Sequence, residues 1–263
     1  MSVMGLLLKA GISIDLINSA VFAFITITFF IIIINVSSLK NLFPNYSLQL
    51  AALIGNTSFL GIPIAIALLP TETLNLTIGF DLGTTLFSWI FGPYLLEKTN
   101  LKDGCFDFKK LLLSLFTSPA SKGIIGALII YIFGLENSLK NFLWIPSRFV
   151  IYLAIIAVGA RLGIITTSKK RFYKFKENIK YSLLLKLFIL PAFVYLICQI
   201  LNFPATDTTA IVLQAGTPSA ISTVLLAEAY KNQRELAAKT LFKTTIAAIF
   251  TIPLIYLLIN KII

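Results

Sequence analysis

The sequence of 263 residues contains no histidine, only two cysteines and few charged side chains. Without histidine, a proton relay has to use carboxylates or water, and a nucleophile with a histidine partner is excluded. Cys105 lies in a lysine-rich spacer and Cys198 in an apolar run, so no disulfide is expected between them. The sequence also has no Walker loop and no metal-ligand cluster. We therefore expect no enzyme, no catalytic residue, no metal site and no cofactor.

The scarcity of charge argues against a water-soluble fold. Charged residues make up 13% of the chain and hydrophobic residues 57%, whereas about a quarter of a soluble domain is charged. The apolar runs are continuous over about 20 residues, the length of a membrane-crossing helix, and do not alternate like barrel strands. The sequence predicts an all-α integral membrane protein whose spans lie near 17–38, 47–69, 77–96, 115–135, 147–166, 181–200, 207–229 and 240–260, with 1–11 as a fragment of another.

The net charge of +11 is explained by orientation in a membrane rather than by nucleic-acid binding. If successive spans alternate sides, one set of loops carries most of the lysines and arginines. The opposite set carries only Lys9, Lys140, Arg148 and Lys261. The positive-inside bias then places the lysine-rich loops in the cytoplasm. We expect a multi-pass protein of the cell (inner) membrane with its C-terminus outside, a lipid bilayer as its surroundings and no nucleic acid as a partner.

A short motif is repeated in two separate apolar runs. GIPIA at 61–65 and GTPSA at 216–220 share Gly-x-Pro-x-Ala, and the two prolines are 155 residues apart. Shifting the chain by that distance brings the span at 17–38 near the span at 181–200. We infer two repeats of five helices. Each repeat has an odd number of spans, so the two halves insert with opposite orientation, as in many transporters.

The repeats divide the chain into two parts. Residues 1–110 form a truncated first repeat with the end of helix 2 and helices 3–5, and residues 111–263 form a complete second repeat with helices 6–10. The fold class expected is an inverted-repeat transporter.

Pro63 and Pro218 are placed to break their helices, because a proline in mid-span removes a backbone hydrogen bond. Broken helices present free N–H groups and positive dipole ends, which can bind an anion such as a carboxylate. The amide, hydroxyl and glycine residues around the two breaks are the candidate substrate site: Asn56, Thr57, Ser58, Gly61, Gln214, Gly216, Thr217 and Ser219. Two alternatives remain: the prolines only kink their helices, or Asn56 and Gln214 only join helices by hydrogen bonds.

Ionisable residues inside spans are candidates for ion coupling, because they are costly to bury there. Asp81 lies about one turn into its span and is a candidate for coupling to H+ or Na+, the alternative being placement at the membrane interface. Lys186 and Lys243 lie near the cytoplasmic ends of their spans. Their long side chains are expected to reach out to the interface.

Four segments resemble the auxin efflux carrier family, which includes bacterial carriers and the plant PIN proteins. GNTSFLGIPIAIA at 55–67 is similar to the first crossover helix of that family, and AGTPSAISTVLLAEAY at 215–230 to the matching one. TSPASKGIIGALIIYIFG at 117–134 and VGARLG at 158–163 resemble its sixth and seventh helices. The resemblance therefore extends over essentially the whole chain.

The resemblance implies the ten-helix fold shared with the bile-acid sodium symporters. That fold has a scaffold, here from 1–11 and 115–166, and a transport domain, here from 17–96 and 181–260, with two crossing broken helices. It implies elevator movement of one domain against the other, with the substrate at the crossing. A homodimer through the scaffold fits the same architecture.

The chain departs from the family pattern in two ways. It keeps fewer spans than the ten of the family, and the missing part belongs to the scaffold. The spacer near 97–112 is short, as in prokaryotic members, so small carboxylates are expected rather than auxin itself. The leading expectation is an efflux-carrier-like secondary transporter of a small organic anion. A non-transporting truncated remnant or subunit and a sodium-coupled organic-anion symporter are the alternatives.

Overall fold

A computed structural model of the chain describes residues 13–98, 119–136 and 176–262, with scattered residues between 4 and 11 and between 138 and 163. All regular elements of this part are helical, which confirms the all-α prediction for it. The predicted span at 147–166 lies outside the continuously described residues, and so does most of the predicted spacer at 97–112. The helices are α1 (Ile14–Val36), α2 (Tyr46–Leu53), α3 (Ile62–Leu68), α4 (Leu74–Lys98), α5 (Pro119–Ile132), α6 (Lys176–Leu184), α7 (Leu190–Ile200), α8 (Ala205–Ala215), α9 (Ile221–Ala229) and α10 (Arg234–Ile262).

Three helical segments of the described part are long and apolar enough to cross a bilayer: Ile14–Val36, Ile179–Ile200 and Arg234–Lys261. Along α1, exposed apolar side chains recur every three or four residues, at Ile14, Ile17, Val21, Ile25, Phe29 and Ile32. An exposed face of this kind is suited to contact with lipid. The number of spans, the inverted repetition and the division into scaffold and transport domain remain predictions.

Helices α1 and α4 pack with their backbones close together. A Cβ atom on Gly79 would collide with the backbone of Leu16, and one on Gly83 with the backbone of Ala20. The two glycines are four residues apart and therefore lie on the same face of α4. The Ser19 hydroxyl donates to the Leu76 carbonyl oxygen at 2.7 Å across the same contact. Small residues at this spacing allow close helix packing in membranes, where hydrogen bonds between helices also contribute.

Two helices of the described part are interrupted. The first leaves helical geometry at Ile54–Asn56, between α2 and a π-helical turn at Thr57–Gly61 that continues into α3. The second ends at Ala215, where Gly216 is the cap residue, and resumes at Ile221, so its interruption contains Pro218.

Pro63 lies inside the second half of the first broken helix, and the break occurs about two turns before it. The Ile62 N–H group donates to the Thr57 carbonyl five residues earlier, which makes the wide π turn. Proline has no N–H and its ring clashes with the carbonyl four residues earlier, and a wider turn accommodates both effects. The expectation that Pro63 breaks its helix is therefore wrong, because the chain stays helical from Thr57 to Leu68.

Candidate functional site

The two interrupted segments lie side by side as a short antiparallel pair, which we call the crossing (Ile54–Asn56 with Pro218–Ala220). The Asn56 N–H donates to the Pro218 carbonyl at 2.7 Å, and the Ala220 N–H donates to the Ile54 carbonyl at 2.9 Å. Each break thus supplies partners for backbone groups that the other break frees. Paired backbone of this kind can lie at membrane depth, where unpaired N–H and C=O groups are costly.

Side-chain hydroxyls hold the second break in place. The Ser219 hydroxyl donates to the Ala51 carbonyl at 2.5 Å, and the Ser219 N–H donates to Thr244 Oγ1 at 3.1 Å. The Thr217 hydroxyl donates to the Gln214 carbonyl at 2.7 Å. Ser219, Thr217 and Gln214 are all buried. The structure therefore brings the candidate residues of the second break together around the crossing.

Asp81 of α4 holds the first break. Its Oδ1 accepts hydrogen bonds from the Thr57 hydroxyl at 2.5 Å and the Ser58 hydroxyl at 2.6 Å. The hydroxyl oxygens of Thr57 and Thr84 are 3.2 Å apart, so the Thr84 hydroxyl joins those of Thr57 and Ser58 in one hydrogen-bonded group. Asp81 is 4% exposed. It is therefore buried against the break rather than placed at an exposed interface.

Two buried amide side chains at or next to the crossing have atoms without hydrogen-bond partners in the described part of the structure. Asn56 is 3% exposed and Gln214 is 0% exposed. Among the residues that the structure describes, Asn56 Nδ2 and both amide atoms of Gln214 are without a partner. A Cβ atom on Gly61 would collide with the Gln214 amide, so the absence of a side chain at Gly61 leaves the space that this amide occupies. Because buried polar groups in folded proteins are almost always paired, unpaired amides mark a place where a ligand could bind.

Lys186 lies elsewhere than the sequence predicts. The sequence predicts that its side chain reaches out to the interface, but the structure buries it, with 1% exposed, in a π-helical turn at Leu185–Ile189 between α6 and α7. Its Nζ donates to the Ala215 carbonyl at 2.8 Å, directly before the second break. A signal was present in the sequence: Pro191 follows Lys186 by five residues, and a proline can impose such a turn.

Comparison with known proteins relates the chain to membrane transporters. A family model described as membrane transport protein matches residues 106–256. An uncharacterized transporter of Methanocaldococcus jannaschii is 23% identical over 211 residues, which cover 79% of this chain and 66% of that protein. An uncharacterized transporter of Methanothermobacter thermautotrophicus is 26% identical over 213 residues, which cover 80% of this chain and 66% of that protein. The chain thus spans 66% of the length of each of these curated relatives.

Proposed function

Because the chain belongs to the membrane transport protein family, which is the auxin efflux carrier family, we propose that it is a secondary active transporter for a small organic anion. Membership of this family supports a transport protein of the membrane rather than an enzyme. Carboxylates are the proposed substrate class. The proposed site is the crossing, with Asn56 and Gln214 as the side chains that bind the substrate.

The unpaired amides carry this proposal. Asn56 Nδ2 can donate to a carboxylate oxygen, and Gln214 Nε2 can add a second donor. Amides without partners are costly in a dry interior, and a bound carboxylate would remove that cost by pairing with them. The neighbouring hydroxyls are engaged elsewhere, because Thr57 and Ser58 bond to Asp81 and Ser219 bonds to Ala51. Compared with these hydroxyls, the amides are therefore better placed to bind a substrate.

Transport by this site requires movement of the crossing relative to the rest of the protein. We propose an elevator movement, in which α1, α4 and the broken helices move as one domain against the scaffold. The paired backbone of the crossing and the close packing of α1 on α4 support a rigid moving unit. A cell (inner) membrane location, an outside C-terminus and a homodimer through the scaffold belong to the same proposal.

Ligand-dependent stability and uptake test the function. We expect benzoate, succinate or malate to raise the unfolding midpoint of the purified chain, whereas benzamide and succinamide, which lack the charge, should not. A ligand at 100 times its Kd stabilises a protein by about 2.7 kcal/mol. Proteoliposomes should accumulate the protecting carboxylate. Protection without uptake would favour a non-transporting subunit, and neither protection nor uptake would contradict the proposal.

Asp81 is the proposed site of proton coupling. Exchanging it for asparagine keeps an oxygen that can accept from Thr57 and Ser58 but removes the titratable carboxylate. We expect Asp81→Asn proteoliposomes to lose the response of carboxylate uptake to an imposed pH gradient. Asp81→Ala should in addition lower the free energy of unfolding by about 2 kcal/mol, since two hydroxyls lose their acceptor. An unchanged response to the gradient in Asp81→Asn would show that the proton is carried elsewhere.

A further inference from the structure

Lys186 places an amino group in the buried interior of the described structure. It is among the largest fully buried side chains, whereas lysine is almost never fully buried unless it is paired. The wide turn at Leu185–Ile189 buries three consecutive residues: Leu185, Lys186 and Leu187. The Leu190 N–H donates to the Leu185 carbonyl five residues earlier, as Ile62 does to Thr57 before Pro63. The turn before Pro191 thus directs Lys186 inward.

The Lys186 ammonium group replaces a backbone donor that the second break removes. In a continuous helix, the Ser219 N–H would bond to the Ala215 carbonyl, but it donates to Thr244 Oγ1 instead. The Ala215 carbonyl is then open to Lys186, whose Nζ lies 2.8 Å away. Carbonyls at the C-terminal end of a helix carry partial negative charge, so a cation is favoured at this point.

The same ammonium group touches the first break. A Cβ atom on Gly55 would lie 2.9 Å from Lys186 Nζ and 3.4 Å from its Cε, and would also collide with Thr217 Oγ1. Gly55 therefore allows Lys186 to lie against the crossing. The next residue along the chain is Asn56, whose Nδ2 has no partner in the described part of the structure. Lys186 Nζ is thus buried in contact with both breaks, next to the proposed substrate site.

The Lys186 amino group has no carboxylate partner among the described residues. In the described ranges, no carboxylate oxygen lies within 4.0 Å of its Nζ. The buried carboxylate of Asp81 is occupied by the hydroxyls of Thr57 and Ser58. An ammonium group has three donors, of which the Ala215 carbonyl takes one. Among the described residues, the other two donors of Lys186 Nζ are therefore left for the oxygens of an anion.

We propose that Lys186 is the built-in cation of the substrate site. It fulfils the role that a co-bound sodium ion would otherwise have, so that a carboxylate binds at the crossing without sodium. This inference rests on the proposed function and adds the residue that selects for negative charge. It distinguishes the chain from a sodium-coupled organic-anion symporter, in which sodium would be required for substrate binding.

The test compares Lys186→Met with the wild-type chain. Methionine keeps an unbranched side chain and removes the charge, and Lys243→Met is the control, because Lys243 is exposed on α10. Binding of benzoate and succinate is measured in sodium buffer and in N-methyl-D-glucamine buffer. We expect equal wild-type affinity in the two buffers and a loss of about 10-fold or more in Lys186→Met, as for a hydrogen bond to a charged group. Lys243→Met should bind like the wild type.

Two results would overturn the inference while leaving the proposed function intact: a wild-type affinity that depends on sodium, or a folded Lys186→Met variant that binds like the wild type. No binding by the wild type in either buffer would instead contradict the proposed function itself. If Lys186→Met does not fold, the inference is tested by the wild-type affinities alone: equal affinity in the sodium and N-methyl-D-glucamine buffers supports it, and a dependence on sodium overturns it. In a folded Lys186→Ala variant, methylammonium should restore succinate binding by occupying the vacated space, and failure to restore it would count against the inference.

Discussion

Gly83→Ala is expected to lower the free energy of unfolding by about 2–3 kcal/mol, which is the upper range for overpacking in a well-packed core. The new Cβ would collide with the carbonyl oxygen of Ala20 and lie 2.9 Å from its carbonyl carbon. The obstacle is helix backbone, so it cannot move aside as a side chain could. Helices α1 and α4 would have to separate, which would weaken the Ser19 bond to Leu76 and the contact of Phe24 with Phe87.

Gly92→Ala is the matched control for Gly83→Ala, because it makes the same chemical change on the same helix. The nearest atom to its Cβ would be Cδ1 of Leu226, at 2.9 Å, at the end of a flexible side chain that can turn away, and the next neighbours would lie 4.0 Å away. We expect this variant to stay within about 1 kcal/mol of the wild type, since alanine also favours the helix over glycine. The measurement is thermal unfolding of the purified chain in detergent. Equal midpoints for the two variants would contradict the close packing of α1 on α4.

The positions of the membrane-crossing helices could be predicted from the sequence, because a helix that crosses a bilayer needs an apolar run of about 20 residues. The predicted span at 17–38 corresponds to α1 at Ile14–Val36, and the one at 77–96 to α4 at Leu74–Lys98. The beginning of α1 differs by three residues because Ser13 caps the helix, its hydroxyl accepting from the Leu16 N–H. A capping residue of this kind does not show in a hydropathy pattern.

The position of the first break was not accessible from the sequence. Proline is the local signal for a broken helix, and it indicated Pro63. The chain instead opens at Ile54–Asn56, where its freed backbone groups find partners at Pro218 and Ala220. The site of the break is therefore decided by a contact between distant parts of the chain. Lys186 was misjudged for the same reason, since the Ala215 carbonyl that it binds is free only because the second helix is broken.

Gln214→Met is expected to stabilise the fold and to weaken substrate binding. Methionine is unbranched, has a helix propensity close to that of glutamine, and brings no polar group into the space beside Gly61. The variant removes a buried amide that has no partner among the described residues. Because an unpaired buried amide costs about 1–3 kcal/mol, we expect the free energy of unfolding to rise by about 1–2 kcal/mol. Carboxylate affinity should fall by about 10-fold.

Gln49→Met provides the opposite case on α2. Gln49 is as buried as Gln214, but its amide is paired: Nε2 donates to the Phe43 carbonyl at 2.9 Å and Oε1 accepts from Asn35 Nδ2 at 2.9 Å. Its replacement leaves the buried Phe43 carbonyl without this donor and removes one of the two acceptors of Asn35 Nδ2, which also donates to the Ile31 carbonyl at 2.8 Å. We expect Gln49→Met to lower the free energy of unfolding by about 2 kcal/mol and to leave carboxylate affinity unchanged.

The two glutamine variants together separate a binding role from a structural one. A structural glutamine stabilises the empty protein, so its loss lowers the unfolding midpoint whether or not a carboxylate is present. A glutamine that serves binding lowers the free energy of unfolding of the empty protein, because its buried amide is unpaired there. Only a bound substrate offsets that loss by pairing with the amide. Thermal unfolding of Gln214→Met with and without succinate or benzoate therefore distinguishes them. A Gln214→Met variant less stable than the wild type, with carboxylate protection retained, would remove Gln214 from the site and leave Asn56 and Lys186 to bind the anion.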